Sequence, residues 1–159
     1  MNTSKSQTKL LLVDDDPAMI ALLNKVIAKA FADEISIEAV TDPLEALHRM
    51  EAGRFDILIT DLEMPAINGL QLLSFAKQRN PCMQVLFLTG QSCHDALLEA
   101  LEKSASDYLL KPIDRDLLVT LVQQAMDRQQ RWQRALAATW RQQRKNQPSE
   151  PLRTPSDIR

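Results

Sequence analysis

The segment that decides the fold reads Ile57-Leu58-Ile59-Thr60-Asp61-Leu62-Glu63-Met64-Pro65, and Ala66-Ile67-Asn68-Gly69 follows it. Its first four residues favour a strand and carry no charge, which is typical of a strand covered on both faces. The run ends at Asp61, and Pro65 and Gly69 predict a turn after it. A carboxylate at the C-terminal end of a buried parallel strand lies where open α/β sheets bind their ligands. We therefore expect a functional site around Asp61.

Strand and helix patterns alternate along the whole chain. The predicted strands are Leu10–Val13, Ile35–Val40, the segment ending at Asp61, Val85–Leu88 and Tyr108–Leu110. The predicted helices begin near Asp16, Asp42, Leu70, His94 and Asp114, and the last of them continues to about Asn146. Short connections between parallel strands predict right-handed crossovers with helices on both faces of the sheet. We expect an α/β, flavodoxin-like doubly wound fold, with a five-stranded parallel sheet in the order 2-1-3-4-5 and an extended C-terminal helix.

Capping signals place several helix ends. Asp16 and Asp42 each precede a proline, which predicts an N-cap residue followed by the first helical position. Glu45 has the spacing that completes a capping box with Asp42, and Gly53 predicts the end of that helix. Asp114 has the position of an N-cap for the last helix.

Charge divides the chain into an acidic domain and a basic tail. The net charge is −2, but residues 1–126 hold 11 Lys and Arg against 18 Asp and Glu. Residues 127–159 hold 8 basic residues against 3 acidic ones. We expect a flexible N-terminus over residues 1–8, a domain over 9–126, a helical extension over 127–146 and a disordered tail over 147–159.

Composition also indicates the compartment. No run approaches the roughly 18 apolar residues of a membrane span, and residues 1–8 lack a secretory apolar core. Cys82 and Cys93 are too few and too poorly spaced for a disulfide framework or a zinc site. We expect a cytoplasmic protein that makes no membrane contact.

Polar side chains follow every predicted strand except the second. Asp14 and Asp15 follow strand 1, Asp61 ends strand 3, Thr89 ends strand 4 and Lys111 follows strand 5. In the order 2-1-3-4-5, the three carboxylates meet at one edge of the sheet, where they repel one another unless a cation binds. Hard oxygen ligands with room for water favour Mg²⁺.

These residue types suit phosphoryl transfer. A carboxylate such as Asp61 can attack phosphorus and become an aspartyl phosphate, and a nearby cation offsets the charge of the incoming group. Lys111 and Thr89 can donate to the phosphoryl oxygens. Gly90 has no side chain and leaves space above Asp61.

The motifs resemble the receiver domains of two-component response regulators (CheY-like domains) over about residues 9–126. The matching motifs, in order, are Asp14-Asp15, Asp61-x-x-Met64-Pro65-x-x-Asn68-Gly69, Thr89-Gly90 and Tyr108-x-x-Lys111-Pro112. The resemblance implies that Asp61 is the phosphoacceptor of a phosphorelay. It also implies that Asp15 binds Mg²⁺ directly, that Asp14 helps through water, and that the backbone carbonyl of Glu63 is a further ligand.

The resemblance extends to signal output. Thr89 and Tyr108 look like the pair that couples phosphorylation to a surface formed by helix 4, strand 5 and helix 5. The implied partners are a sensor histidine kinase or phosphotransfer protein and a downstream target protein. A homodimer through that surface or through the helical extension is also expected. The sequence departs from the family pattern at Ser104-Ala105 and at Ile113.

Two other function classes stay open. A Mg²⁺-dependent aspartyl-phosphate phosphatase of the haloacid dehalogenase type places its nucleophile after strand 1 in an Asp-x-Asp-x-Thr/Val pattern. The segment Asp14-Asp15-Asp16-Pro17-Ala18 lacks the last residue of that pattern. A nucleic-acid binder could use the basic tail, but only for non-specific phosphate contacts. We expect a signalling receiver that is not an enzyme and has no recognisable DNA-binding or enzymatic output domain.

The last helix continues beyond Met126, where a minimal receiver helix should end, without Gly or Pro up to Asn146. Six residues step by four and three in the manner of a coiled-coil seam with one polar position: Leu118, Val122, Ala125, Gln129, Trp132 and Leu136. We expect this helix to pair with a second subunit or to bind a partner protein. A frayed, solvated helix is the alternative.

Overall fold

A computed structural model of the chain describes residues 7–90 and 94–146. It contains a five-stranded parallel sheet in the order β2-β1-β3-β4-β5, which confirms the predicted fold. The strands are β1 (Thr8–Val13), β2 (Ile35–Val40), β3 (Ile57–Asp61), β4 (Gln84–Thr89) and β5 (Asp107–Leu110). The helices are α1 (Pro17–Phe31), α2 (Pro43–Ala52), α3 (Gly69–Arg79), α4 (His94–Glu102) and α5 (Arg115–Asn146). One turn of 3₁₀ helix, Ala32–Glu34, follows α1.

The sheet separates two apolar cores because successive side chains of a strand point to opposite faces. Leu58 and Phe87 belong to the core on the side of α2, α3 and α4. Ile59 and Leu88 belong to the core on the side of α1 and α5. All residues of the central strands β3 and β4 are buried, as expected for strands covered on both faces.

The predicted aspartate caps form. Asp16 Oδ1 accepts a hydrogen bond from the Ala18 N–H at 2.9 Å, and Asp114 Oδ1 accepts from Leu117 at 3.0 Å. Each cap satisfies a backbone donor that has no partner within its helix.

The predicted capping box at Asp42 and Glu45 is wrong, although Asp42 itself caps α2. The Glu45 carboxylate instead accepts from the Arg49 guanidinium at 2.8 Å, one helical turn further on. The capping box lies at the start of α3, where Asn68 and Gln71 each accept from the other's backbone N–H at 3.0 Å. An amide pair can close this box as well as a carboxylate can, so the acidic spacing at α2 was misleading.

Most element bounds differ from the predicted ones by one or two residues. Thr8 already belongs to β1 and is buried, so the expected flexible N-terminus of residues 1–8 extends too far along the chain. Residues 1–6 and the predicted disordered tail 147–159 lie outside the described residues. In the described part of the chain, no helix is both long and apolar enough to cross a membrane.

The long last helix is continuous to Asn146, as predicted, but its apolar seam has two different environments. Leu118, Val122 and Ala125 are buried against the sheet. Gln129 is also buried, and its Nε2 donates to Asp56 Oδ1 at 2.6 Å. The polar position of the predicted seam is therefore a contact within the domain. Residues 131–145 are all exposed, and only this part of the seam is free for a partner.

Gly69 brings α3 close to the end of β3. A Cβ added to Gly69 would lie 2.5 Å from the backbone oxygen of Asp61 and 2.8 Å from the Phe87 ring. These distances are too short for any real side-chain carbon, so the absence of a side chain lets the helix start against the strand. The sequence predicted Gly69 as a turn residue, whereas it is the first residue of α3.

We predict that Gly69→Ala lowers the free energy of unfolding by about 1–3 kcal/mol, the usual cost of overpacking a filled core. Gly53→Ala is the matched control, because its added Cβ would make only ordinary contacts, the nearest at 3.5 Å. Urea unfolding followed by circular dichroism measures both variants. Equal stability of the two variants would contradict the close-approach argument.

Candidate functional site

Three charged side chains meet at the carboxyl edge of the sheet because of the strand order. Asp14 follows β1, Asp61 ends β3 and Lys111 follows β5. Strands β1 and β3 pair directly, and Val13 lies opposite Thr60. The next residue along each strand is therefore a carboxylate, and the two carboxylates lie side by side.

Lys111 contacts both of these carboxylates. Its Nζ lies 3.0 Å from Asp61 Oδ2 and 3.2 Å from Asp14 Oδ2. Burial lowers the pKa of Lys111, but the hydrogen bonds and charges of Asp61 and Asp14 outweigh burial, so this pKa lies above its ordinary value. The side chain is 27% exposed and carries a firmly held positive charge at the mouth of the site.

Asp14 is fully buried. Its Oδ1 accepts from the Asp16 N–H at 2.9 Å, and its Oδ2 faces Lys111. Burial is the largest influence on this carboxyl and raises its pKa, and the opposing hydrogen bonds and the charge of Lys111 do not cancel that effect. The carboxyl of Asp14 therefore ionises less readily in the folded protein than in the unfolded chain.

Asp61 is accessible only over a small part of its surface. It is 7% exposed, its Oδ1 accepts from the Glu63 N–H at 3.1 Å, and its Oδ2 receives the Lys111 ammonium. These two contacts orient the carboxylate from both sides. A carboxylate has about four lone-pair sites, so these two contacts leave others available.

The site fits a hard divalent cation. Asp14, Asp15 and Asp61 each offer a carboxylate oxygen, and these atoms lie within 4.8 Å of one another. One ammonium cannot neutralise three ionised carboxylates, and like charges at this separation raise the free energy of the ionised state. Oxygen ligands with one exposed member, Asp15, suit Mg²⁺, because Mg²⁺ retains several waters.

The structure does not bring every predicted residue into the cluster. The Thr89 hydroxyl donates to the Gly90 carbonyl oxygen at 3.1 Å, so it does not point its hydrogen at Asp61. Tyr108 lies on β5 opposite Phe87 and is 39% exposed. The roles of these two residues in switching, and of the Glu63 carbonyl in metal binding, remain predictions.

The Lys111–Pro112 segment is held by contacts that the sequence did not predict. The Lys111 N–H donates to the Thr89 carbonyl oxygen at 2.9 Å, which fixes the start of the loop after β5. The peptide bond between Lys111 and Pro112 is cis. A proline after the lysine was the visible signal, but X–Pro bonds adopt either isomer and the sequence does not choose between them.

Comparison with known proteins agrees with this geometry. The family model for the response regulator receiver domain matches residues 10–123. This chain belongs to that family. The match covers β2 to β5, most of β1 and the start of α5, and it confirms the resemblance on which the sequence-based expectations rested.

The receiver has relatives among transcriptional regulators. It is 37% identical over 122 residues to the DNA-binding transcriptional regulator NtrC of Escherichia coli K12, covering 77% of this chain and 25% of NtrC. It is 34% identical over 121 residues to the response regulator protein PilR of Pseudomonas aeruginosa, covering 76% of this chain and 26% of PilR. The receiver thus spans about a quarter of the length of these relatives.

Solved structures show the same fold. A putative response regulator from Chloroflexus aurantiacus superposes with a TM-score of 0.68 at 29% identity, covering 77% of this chain and 99% of that one. The signal receiver domain of an HD domain-containing protein from Pseudomonas fluorescens Pf-5 gives a TM-score of 0.76 at 23% identity. That second match covers 84% of this receiver and 97% of the other chain, and at this identity it shows the fold alone.

We predict that Asp14→Asn stabilises the receiver in the absence of divalent cations. Because burial raises the pKa of Asp14, the folded state keeps a proton that the unfolded chain releases at a lower pH, at about 3.9. The proton on folded Asp14 adds to the free energy of unfolding at low pH. This contribution is lost as the pH rises from the pKa of the unfolded chain through the raised pKa of the folded state. The amide variant cannot ionise, so its advantage over the wild type should be largest at neutral pH and shrink as the pH falls.

Urea unfolding in EDTA at several pH values measures this difference. Asp15→Asn is the control, because it removes an exposed carboxylate of the same cluster. A gap between Asp14→Asn and wild type that does not change with pH would contradict burial as the cause.

Proposed function

We propose that this receiver accepts a phosphoryl group on Asp61 with the help of Mg²⁺, as one step of a two-component phosphorelay. The single observation that supports this proposal is the arrangement of Lys111 between two carboxylates, with Asp15 beside them, at the carboxyl edge of the sheet. This arrangement provides a nucleophile, a fixed cation and a set of oxygen ligands in one place.

The nucleophile in the proposed reaction is an oxygen of Asp61. The oxygen forms a bond to the phosphorus of a phosphohistidine or of a small phosphodonor, and the bond from phosphorus to the donor atom breaks. The donor atom keeps the electron pair of that bond. The Glu63 N–H orients the carboxylate during attack, and the Lys111 ammonium is close enough to donate to the phosphoryl oxygens afterwards.

Asp14, Asp15, Asp61 and the Glu63 carbonyl would hold the cation. When bound, Mg²⁺ supplies positive charge that offsets the charge of the phosphoryl group. For Thr89 to donate to the phosphoryl group, its hydroxyl would first have to leave the Gly90 carbonyl. Such a rotation would connect the chemistry at Asp61 to the outer strands, as the resemblance implies for Thr89 and Tyr108.

The output belongs to the proposal as well. Receiver domains interact with histidine kinases or phosphotransfer proteins, and we propose such a protein as the donor and the cytoplasm as the place of the reaction. We propose that the output is a changed protein-interaction surface on α4, β5 and α5. No contact in the described residues favours the phosphatase or the nucleic-acid binder over this function.

We predict that Asp61→Asn abolishes phosphorylation by acetyl phosphate with Mg²⁺, because the amide keeps the shape but loses the attacking oxygen. Intact mass and the base lability of the product measure the reaction. Asp16→Asn is the matched control, because Asp16 lies outside the metal cluster and asparagine also caps helices. A base-labile phosphate on the Asp61→Asn variant at wild-type yield would refute the assignment.

We also predict an order of Mg²⁺ affinities. Asp15→Asn should weaken Mg²⁺ binding at least about tenfold, because even residues that only hydrogen-bond to metal ligands contribute tenfold or more. Asp14→Asn should weaken Mg²⁺ binding less. Lys111→Ala should leave Mg²⁺ bound at the same or higher affinity, because it removes a competing positive charge. Isothermal calorimetry is the appropriate measurement, because both Trp residues lie far from the site. Equal losses for the two aspartate variants would disprove this order.

A further inference from the structure

Two exposed apolar surfaces of opposite charge lie at the two ends of α5. The first is a groove of about 390 Å³ between β5 and α5, which we call the β5–α5 groove. Tyr108, Leu110, Leu117 and Leu121 supply its apolar lining, and Asp107 and Asp114 supply its charges. Residues 94–121, which surround the groove, hold six acidic residues against three basic ones. One of the three basic residues, Lys111, faces the carboxylates of the site.

The second surface is the free part of α5, residues 131–146, which we call the extension. Trp132, Leu136 and Trp140 are 57%, 46% and 64% exposed and recur at four-residue intervals, so they form one stripe. The extension holds five basic residues and no acidic one. A contiguous apolar stripe of this kind is uncommon on a surface that only meets water.

Most of the exposed apolar side chains lie on or beside these two surfaces. Within the described residues, nine large apolar side chains are exposed, and three of them belong to the extension. Five others belong to α4, β5 and the start of α5: Leu98, Leu101, Tyr108, Leu110 and Leu117. Of these five, Tyr108, Leu110 and Leu117 line the groove, whereas Leu98 and Leu101 lie on the neighbouring helix α4, and Leu44 lies on α2.

One chain cannot bring its own two surfaces together. The helix is continuous from Arg115 to Asn146, and the groove runs along its first two turns. Leu136 lies about 22 Å further along the same rod than Leu121, at 1.5 Å per residue. A contact between the groove and an extension therefore involves two molecules.

We propose that two copies of this chain form an antiparallel, two-fold symmetric dimer in which the extension of each copy occupies the β5–α5 groove of the other. This inference does not depend on the chemistry proposed for Asp61. The occupant follows from charge and shape, because the basic, tryptophan-bearing stripe complements an acidic, leucine-lined groove on the same chain.

The register of the two helices supports the symmetry. If the α5 helices cross near Asp127 and Arg128, Leu136 of one copy lies opposite Val119 of the other, midway between Leu117 and Leu121. The same placement brings the basic end of each extension towards Asp114 of the other copy. A two-fold axis at the crossing makes both contacts at once, as an isologous interface requires.

The orientation of the stripe is also consistent with this dimer. The stripe continues one face of the helix, the face on which Leu118 and Val122 pack against the sheet. A partner that covers the stripe therefore lies on the same side of α5 as the domain. Leu117 and Leu121, on the groove side, lie about a quarter turn away on the helix. In the antiparallel pair, the second helix runs along that side, and the stripe then lies beneath β5 of the other copy.

Other occupants explain less of the molecule. A parallel coiled coil of two extensions would place five basic residues of each copy side by side and leave the groove exposed. An anionic membrane surface would neutralise the extension and also leave the groove exposed. Both alternatives are outcomes that the following experiment distinguishes.

The experiment uses the full chain in sedimentation equilibrium, with and without Mg²⁺ and beryllofluoride. We expect a dimer in at least one of the two conditions. Leu117→Arg, in the groove, and Trp140→Glu, on the extension, should each weaken dimerisation at least tenfold. Leu44→Arg is the control, because Leu44 is 49% exposed, close to the 45% of Leu117, and lies on neither surface. Circular dichroism verifies that all variants keep their helix content.

Mixing the two weakened variants gives the sharpest test. In the mixed dimer, one groove and one extension remain intact and face each other, and the introduced arginine and glutamate meet at the other contact. The mixture should therefore associate more tightly than either variant alone. No recovery on mixing would overturn the reciprocal arrangement.

Tryptophan emission provides a second measurement. Both Trp residues of the chain lie on the extension, so their emission reports its burial. Leu117→Arg should shift the emission to longer wavelength, although in its own chain Leu117 is about four turns from Trp132 and about six turns from Trp140.

Several results would overturn the proposal. They are a wild-type monomer in both conditions, unchanged emission in Leu117→Arg, and a loss of dimerisation in only one of the two variants. If only the Trp140→Glu dimer dissociates, the two extensions pair with each other. If only the Leu117→Arg dimer dissociates, the two grooves pair with each other. A monomer whose emission shifts on anionic phospholipid vesicles would assign the extension to a membrane. A loss of Asp61 phosphorylation alone would leave the proposal intact.

Discussion

The Lys111 ammonium, placed between the carboxylates of Asp14 and Asp61, is the interaction on which the site depends. It joins the loop after the edge strand β5 to the central strands β1 and β3. Without a positive charge at this place, two nearly buried carboxylates would repel each other at the edge of an apolar sheet. The fold supplies this charge from a distant part of the chain, and it leaves the third carboxylate, Asp15, open to a cation from solvent. The charges that stabilise this edge of the sheet are therefore the same ones that the proposed chemistry would use.

Much of the fold could be predicted because its signals are local. The charge-free run before Asp61, the aspartate caps at Asp16 and Asp114, and the uninterrupted pattern of α5 all depend on neighbouring residues. Contacts between distant residues could not be predicted in this way. Asp56 accepts hydrogen bonds from the Lys9 backbone N–H and from Gln129. The local sequence does not predict the bond between Asp56 and Gln129, which are 73 residues apart. The close approach of Gly69 to the Asp61 backbone also depends on how a helix lies against a strand.

The site was predictable to the same extent. Topology alone brings the ends of β1, β3 and β5 together, so the carboxylates and Lys111 were found from their positions in the chain. The direction of a side chain is a different matter, because several rotamers suit the same backbone. Thr89 illustrates this limit, since its hydroxyl binds the neighbouring Gly90 carbonyl in the structure described here. The switching roles of Thr89 and Tyr108 therefore stay predictions from the family resemblance.

The continuity of α5 has a mechanical consequence. Asp56 and Asp61 lie at opposite ends of β3, and Asp56 holds α5 through Gln129 at the point where the helix leaves the domain. From there the helix extends about 26 Å with no glycine or proline to act as a hinge. A rigid rod fixed at its base behaves as a lever, so a tilt of about 5° at Gln129 displaces the far end by about 2 Å. Asp56, the residue before β3, therefore links the strand that ends in the phosphoacceptor candidate to the base of this rigid helix.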